Sequence, residues 1–389
     1  MIAAADPRRV TAAALVSMVA AIAPMHLVGA LAPEIQDELG FGDAAQGIAI
    51  GVFFGASALV SSWGGALTDR IGPSPALRAA AVASAAGSAV LLVTPGYGIL
   101  VVGLLIASLG NAISQPGNNT FISGGVPVRR RGVALGIKQA AIPTSTALAG
   151  LALPAVAATL GWRWAYGFAV ILALVALAVI PAVEPPVPRV AKGTRFRPSR
   201  PLVLVAVGAG FAAAGVASIG AFLVRSATDA GFSDTAAGLL QVVGSITLIS
   251  TRVGWGWLMD RHPLDRWRFA AALLAVGAMG FPLLASGNHG AMIVGAVLAF
   301  GAGWSWPGVV HLGTVETNPD ATGAASGMVQ AGIFAGATVG PALFGVLADQ
   351  HGFRWAWMLS FSFAATASAL IAFGAARQRT LLRSASRAR

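Results

Sequence analysis

Two basic residues stand where a lipid-facing helix should carry none. Lys138 lies in GIKQAAIP, residues 136–143, inside a long run of small apolar residues. It is seven residues beyond Arg131, roughly 10 Å along a helix at 1.5 Å per residue. Arg252 lies in GLLQVVGSITLISTRVGWGWLMD, eight residues before Asp260, or about 12 Å from that end. Desolvated cations are costly without a counter-charge. No Asp or Glu falls inside any of the apolar spans set out below, and the closest acids, such as Glu316, read as loop residues. An anion entering from water would supply the missing charge. Snorkelling to the head groups is the competing reading for Lys138, and a structural or gating role is the one for Arg252.

Polar neighbours fit a solute site. On a continuous helix Lys138, Gln139, Ser145 and Thr146 fall within about 120° of one another. Gln241, Ser245 and Arg252, spaced 4 and 7, form a stripe, as do Asn111, Gln115 and Asn118, spaced 4 and 3. A polar arc on a membrane helix faces the bundle or a cavity. Interhelical hydrogen bonding would explain the Asn/Gln stripe equally well. Trp304, Trp306 and His311 could hold flat or polar parts of a ligand, although packing is the simpler role for tryptophan. His26, beyond Pro24, is a neutral titratable group deep in an apolar run. It is a candidate for proton coupling, against the plainer role of a satisfied structural histidine. There is no cysteine, and no metal cluster, nucleophile elbow or phosphate loop, so enzymatic chemistry and cofactors are not expected.

The elements that hold these residues are apolar. The 389 residues are 56% hydrophobic and 10% charged, with 49 glycines. Soluble domains carry about 25% charged residues, and abundant small residues suit close helix contact in lipid. A span needs roughly 20 apolar residues, and twelve such runs are present, near 10–32, 44–66, 77–94, 98–121, 133–158, 164–183, 201–224, 235–258, 269–286, 290–311, 322–347 and 355–376. The expectation is an all-α membrane protein. The first run is too long for a signal peptide. The net charge of +11 collects in short loops and tails, which marks orientation rather than nucleic-acid binding. Bases crowd one set of connections, including Arg70, Arg129, Arg130, Arg131 and the tail, while the other set holds only Arg163, Arg225 and Arg354 beside seven acids. Both termini are therefore expected in the cytoplasm, with the protein in the inner (plasma) membrane. The Pro-rich basic stretch 184–200 reads as a linker between 1–183 and 201–389.

The two halves repeat at a constant offset of 191. GFGDAAQG at 40–47 matches GFSDTAAG at 231–238, and GWRWA at 161–165 matches GFRWA at 352–356. Gln139 aligns with Gln330. Over 132–165 against 323–356 there are 11 identities in 34, where chance would give about 3. By this register Lys138 corresponds to Val329 and Arg252 to Ser61, so each half carries a cation its twin lacks. A scaffold residue should recur in both copies, whereas a ligand site between them need not.

GALTDRIGPSPALR at 65–78 resembles the loop motif G-x-L-x-D-R-x-G of the major facilitator superfamily, without the basic pair that usually follows its last glycine. Gly256, Leu258, Asp260 and Arg261 repeat it in part. The resemblance covers essentially the whole chain. It implies twelve helices in two pseudo-symmetric six-helix bundles and a gating role for Asp69, Arg70, Asp260 and Arg261. It also implies a central cavity lined by spans 1, 4, 7 and 10, with spans 5 and 8 side by side. The run from Arg252 to Asp260 is similar to the monocarboxylate and oxalate/formate branches, which implies that Arg252 binds a carboxylate. In the oxalate carriers the second cation is on span 11, where Val329 stands here, and Lys138 occupies its pseudo-symmetric place. GATVGP at 336–341 reads as a helix-bending and close-packing element. The expected function is secondary transport of a small organic anion by alternating access, by a monomer. Efflux of hydrophobic drugs by proton antiport is the alternative, and a transport-dead structural protein is a third class. The expected site residues are Lys138, Arg252, Gln139, Gln241, Ser245, Asn111, Gln115, Asn118, Trp304 and Gln330, with His26 for proton coupling.

Overall fold

The computed structural model describes residues 6–183, 197–262, 264–318 and 322–387. Every regular element among them is a helix. The chain runs through α1 (Pro7–Ala30), α2 (Ala32–Leu39), α3 (Asp43–Ile71), α4 (Pro73–Leu92), α5 (Tyr97–Gly125), α6 (Val128–Gln139), α7 (Ala141–Ala152), α8 (Ala158–Leu160) and α9 (Arg163–Val179). It continues through α10 (Arg200–Asp229), α11 (Asp234–Arg261), α12 (Arg266–Ala278), α13 (Gly280–Ala285), α14 (His289–Leu298), α15 (Trp306–Thr317), α16 (Thr322–His351) and α17 (Phe353–Arg387). Eleven helical stretches are long and apolar enough to cross a membrane, and α9 is a shorter apolar helix of 17 residues. Each of the twelve expected spans falls on one of these. The linker expected at 184–200 lies mostly outside the described residues.

Three spans are not single helices. Span 5 breaks at Ala140 and passes through a π-turn at Leu153–Ala157. Span 9 breaks at Met279, and span 10 passes through a π-turn at Ala299–Gly303 and breaks at Trp304 and Ser305. Each break lies two or three residues before a proline, Pro143, Pro282 or Pro307. Proline has no N–H for the carbonyl four residues earlier, and its ring crowds that carbonyl. Pro24, Pro116 and Pro341 sit inside helices that continue through them. The sequence reading also placed 33–43 in a connection. Most of it is α2, closed by Gly40 at φ 68°.

Contacts divide the chain into two compact units. The first comprises residues 1–190 with 220–246. Its closest crossings use glycine. A Cβ on Gly29 would lie 2.6 Å from the Gly220 carbonyl oxygen, and one on Gly238 would lie 2.4 Å from that of Gly150. Its buried core includes Val10, Leu77, Phe121 and Ile180. The second unit comprises 191–219 and 247–389, with a core around Leu202, Trp267, Leu274, Trp306 and Ile371. There Gly332, Gly336 and Gly340 of α16 lie against Ala206, Gly210 and Ala214 of α10, close enough that any added Cβ would strike backbone. The 336–341 segment is thus a close-packing element, although Pro341 does not interrupt α16.

The repeat is visible in the backbone. Gly40 and Gly231 both adopt positive φ, 68° and 89°, as do Gly161 and Gly352, 89° and 85°. Each pair is separated by 191 residues. Only glycine takes that conformation without strain, so the two halves turn identically at the same two corners.

Candidate solute site

Lys138 lies one residue before the end of α6 and is 4% exposed. Its ammonium donates to Gln115 Oε1 at 3.0 Å and Asn119 Oδ1 at 3.2 Å. These acceptors are four residues apart, so both stand on one face of α5. Both are neutral amides. Among the described residues no ion pair includes Lys138. The segment is held in place by Arg131, whose guanidinium donates to the Val126 carbonyl at 2.9 Å and to the Ser123 carbonyl. A cation on the last carbonyls of α5 also complements that helix's dipole.

The break at Ala140 resets the helix phase beyond Lys138, and the polar arc is divided among three neighbours. Ser145 Oγ meets His26 Nδ1 of α1 at 2.8 Å. Thr146 Oγ1 meets Ser245 Oγ of α11 at 2.7 Å, and the Thr146 carbonyl accepts from Gln241 Nε2 at 3.3 Å. Gln139 is half-buried at the end of α6. Gln241 is fully buried, and its Oε1 has no hydrogen-bond donor among the described residues. His26 is 1% exposed and paired to a neutral hydroxyl.

The stripe on α5 is divided in the same way. Asn111 donates to Ser57 Oγ of α3 at 3.0 Å. Asn118 accepts from Ser17 Oγ of α1 at 3.1 Å and donates back to the Ser114 carbonyl at 2.9 Å. Only Gln115 of the three reaches Lys138. Asn119, which completes that cluster, did not stand out in the sequence. It is adjacent to Asn118, and the spacing of four from Gln115 was its signal.

In the second unit, Arg252 Nη2 donates to the Trp304 carbonyl at 3.0 Å. The break in span 10 leaves that carbonyl free of the helical ladder. Trp255 Nε1 donates to Ser305 Oγ at 3.2 Å across the same break. Trp304 packs its ring 5.4 Å from Phe300, and Trp306 is 1% exposed in the hydrophobic core. His311 and Gln330 are half-buried on α15 and α16. Glu316 lies in the last turn of α15 rather than in a loop, and it pairs with Arg266 at 3.4 Å.

The motif turn has a clear backbone cause. α3 ends at Ile71, and Gly72 adopts φ 85°, which explains the glycine that ends the motif. Arg70 and Arg261 are exposed, and the Arg261 guanidinium lies 3.9 Å from the centre of the Trp257 ring. The side chains of Asp69 and Asp260 lie outside those described.

A polar cluster that sequence reasoning missed lies at the other end of the first unit. Gln36 Nε2 donates to Asp43 Oδ1 at 2.8 Å and Gln46 Oε1 at 2.7 Å. Gln46 Nε2 donates to the Ala221 carbonyl at 2.6 Å. Arg225 Nε donates to Gln36 Oε1 at 2.9 Å and lies 3.6 Å from Asp43 Oδ1. Gln36, Asp43 and Gln46 are all buried.

The family model described as Major Facilitator Superfamily matches residues 13–326 and 205–388. No curated protein matches the chain. Among solved structures, a D-xylose–proton symporter shares 14% identity, with a TM-score of 0.78 over 94% of this chain and 97% of that one. A bacterial homolog of the human lysosomal transporter Spinster, in an inward-facing and occupied conformation, shares 15% identity, with a TM-score of 0.76 over 96% and 98%. At these identities the likeness shows the fold: an all-helical membrane protein of the same architecture. With the whole-chain family match, the span pattern and the internal repeat, the chain belongs to the major facilitator superfamily.

Proposed function

We propose that this secondary transporter moves a small organic anion, carboxylate-like in its charge, by alternating access. The observation that carries the reading is Lys138. A buried ammonium donates to two neutral amide oxygens, and among the described residues no carboxylate pairs with its charge. In a low-dielectric interior a solute of opposite sign gains more there than anywhere on the surface. Arg252, anchored by a backbone carbonyl, offers a planar guanidinium suited to a carboxylate. Gln139, Gln241, Ser245, Asn111, Asn118, Trp304 and Gln330 remain candidate lining residues, and His26 a candidate proton carrier. Asp69, Arg70, Asp260 and Arg261 are proposed as gate residues on the strength of the motif. The proposal places the protein in the cell inner membrane as a functional monomer with both termini in the cytoplasm.

Flux into proteoliposomes tests the reading. Purified protein should carry small carboxylates saturably, and Lys138→Ala and Arg252→Ala should each abolish that flux. Lys138→Arg, which keeps the charge, should retain part of it. Carboxylate flux unchanged in both alanine variants would refute the proposal. Extrusion of hydrophobic drugs that is indifferent to the same changes would establish the efflux alternative.

A further inference from the structure

We infer that the acidic end of the first unit is a proton-dependent latch, in which Glu34 of α2 must be neutral for the 220–246 segment to stay docked on α1, α2 and α3. The docking surface is defined by backbone and side chains together. Gly29 of α1 meets Gly220 and Ala221 of α10 backbone to backbone. The buried network of Gln36, Asp43 and Gln46 reaches across to the Ala221 carbonyl and to Arg225. Gly150 and Gly238 make a second crossing at the start of α11. A carrier that alternates access has to open and re-form one such surface in each cycle.

Glu34 is the unresolved member of this surface. Its Oε2 is buried and has no hydrogen-bond partner among the described residues. The charges that act on it are Asp234 in the first turn of α11 and Asp37 on its own helix, both repulsive to a carboxylate. The cations of this end are engaged elsewhere: Arg225 with Asp43 and Asp229, and Arg163 with Glu38. Burial foremost, opposed by a backbone hydrogen bond to the carboxylate and reinforced by Asp234 and Asp37, raises its pKa from the ordinary 4.5 to about 7. Undocking α11 would remove Asp234 and hydrate the carboxyl, returning it toward its ordinary value.

The sign follows from linkage. The docked form binds the proton more tightly, so docking is favoured fully below the ordinary value of 4.5 and loses that advantage as pH rises to about 7. Across that window the docked-to-undocked ratio falls by up to about tenfold per pH unit. Above it the ratio is flat. The latch therefore opens on the alkaline side and closes on the acid side, whichever solute is carried.

The absence of cysteine in the chain makes the test direct. Leu39→Cys on α2 and Thr235→Cys on α11 are spin-labelled, and their distance distribution is measured in nanodiscs from about pH 5 to about pH 8.5, spanning the titration window. A short-distance population that declines with rising pH is expected. Glu34→Gln should hold the short distance at every pH, and Asp234→Asn should move the midpoint upward by letting less repulsion oppose docking of the ionised carboxyl. A distribution that does not change with pH overturns the inference, as does a Glu34→Gln variant that keeps the wild-type pH response. Carboxylate flux through the variants is a separate readout, so loss of the anion reading leaves this test intact.

Discussion

Arg225 and Lys138 are both cations held by amide oxygens, yet their charges are met differently. Arg225 also lies 3.6 Å from Asp43 and keeps 30% of its side chain exposed, while Asp43 keeps 8%. Removing the guanidinium takes the donor from Gln36 Oε1 and the neighbouring cation from Asp43, both in a buried place. Arg225→Ala should therefore cost about 1–3 kcal/mol, read as a lower thermal unfolding midpoint in detergent. Asp43→Asn should recover part of that loss in the double variant, because the two residues are coupled. Equal, additive losses would show that the pair contributes nothing. The two bases that break the charge asymmetry in the first unit, Arg163 and Arg225, are both ion-paired, with Glu38 and Asp43. Their misplacement was legible as an exception to the orientation pattern. Their partners were not, because Arg225 and Asp43 are far apart in sequence and no periodicity links them. The same holds for Lys138. Its depth could be read from Arg131, but its partners Gln115 and Asn119 depend on how α6 leans on α5.

At the scale of elements, hydropathy located the spans and missed their interruptions. A window of about 20 residues averages over a proline, so the breaks at Ala140, Met279 and Trp304 leave no trace in it. An arc drawn at 100° per residue also assumes an unbroken helix. Past Ala140 that assumption fails, which is why Lys138, Ser145 and Thr146 find partners on α5, α1 and α11 in turn. The glycine stripe of α16 was legible because small residues four apart share a face. It yields a graded prediction. A Cβ on Gly336 would stand 1.8 Å from the Gly210 carbonyl oxygen, whereas one on Gly254 would meet nothing within 4 Å. Gly336→Ala should force α16 away from α10 and lower the unfolding midpoint by several degrees, and Gly336→Val should prevent recovery of folded protein. Gly254→Ala, on an exposed helical position, should be neutral or mildly stabilising, since Ala favours helix by about 1 kcal/mol over Gly. Identical midpoints for Gly336→Ala and Gly254→Ala would dismiss the close-packing account.

At the scale of the molecule, duplication and charge asymmetry reinforce one another. A repeat offset of 191 residues, about half of the 389-residue chain, with an even number of spans per copy should place equivalent turns on the same side of the membrane. The glycine corners repeat the same backbone turn in pairs, Gly40 with Gly231 and Gly161 with Gly352. If those corners share one side, the turn at Gly72 and the turn after Arg261 share the other. The acids Glu34, Asp37, Glu38, Asp43, Asp229 and Asp234 lie beside the first set, and Arg70, Arg261, Arg266 and Arg268 beside the second. Basic connections are retained in the cytoplasm, so the Gly231 corner should face outward. The cysteine-free chain lets single sites report this. Thr235→Cys and His262→Cys are both exposed positions. In intact cells a membrane-impermeant maleimide should label Thr235→Cys and spare His262→Cys until the membrane is permeabilised. The opposite pattern would invert the protein and put the Glu34 latch on the cytoplasmic side, where it would answer to internal rather than external pH. Labelling of both sites in intact cells would contradict the even-span repeat itself, because the single span between them, α11, must separate the two positions.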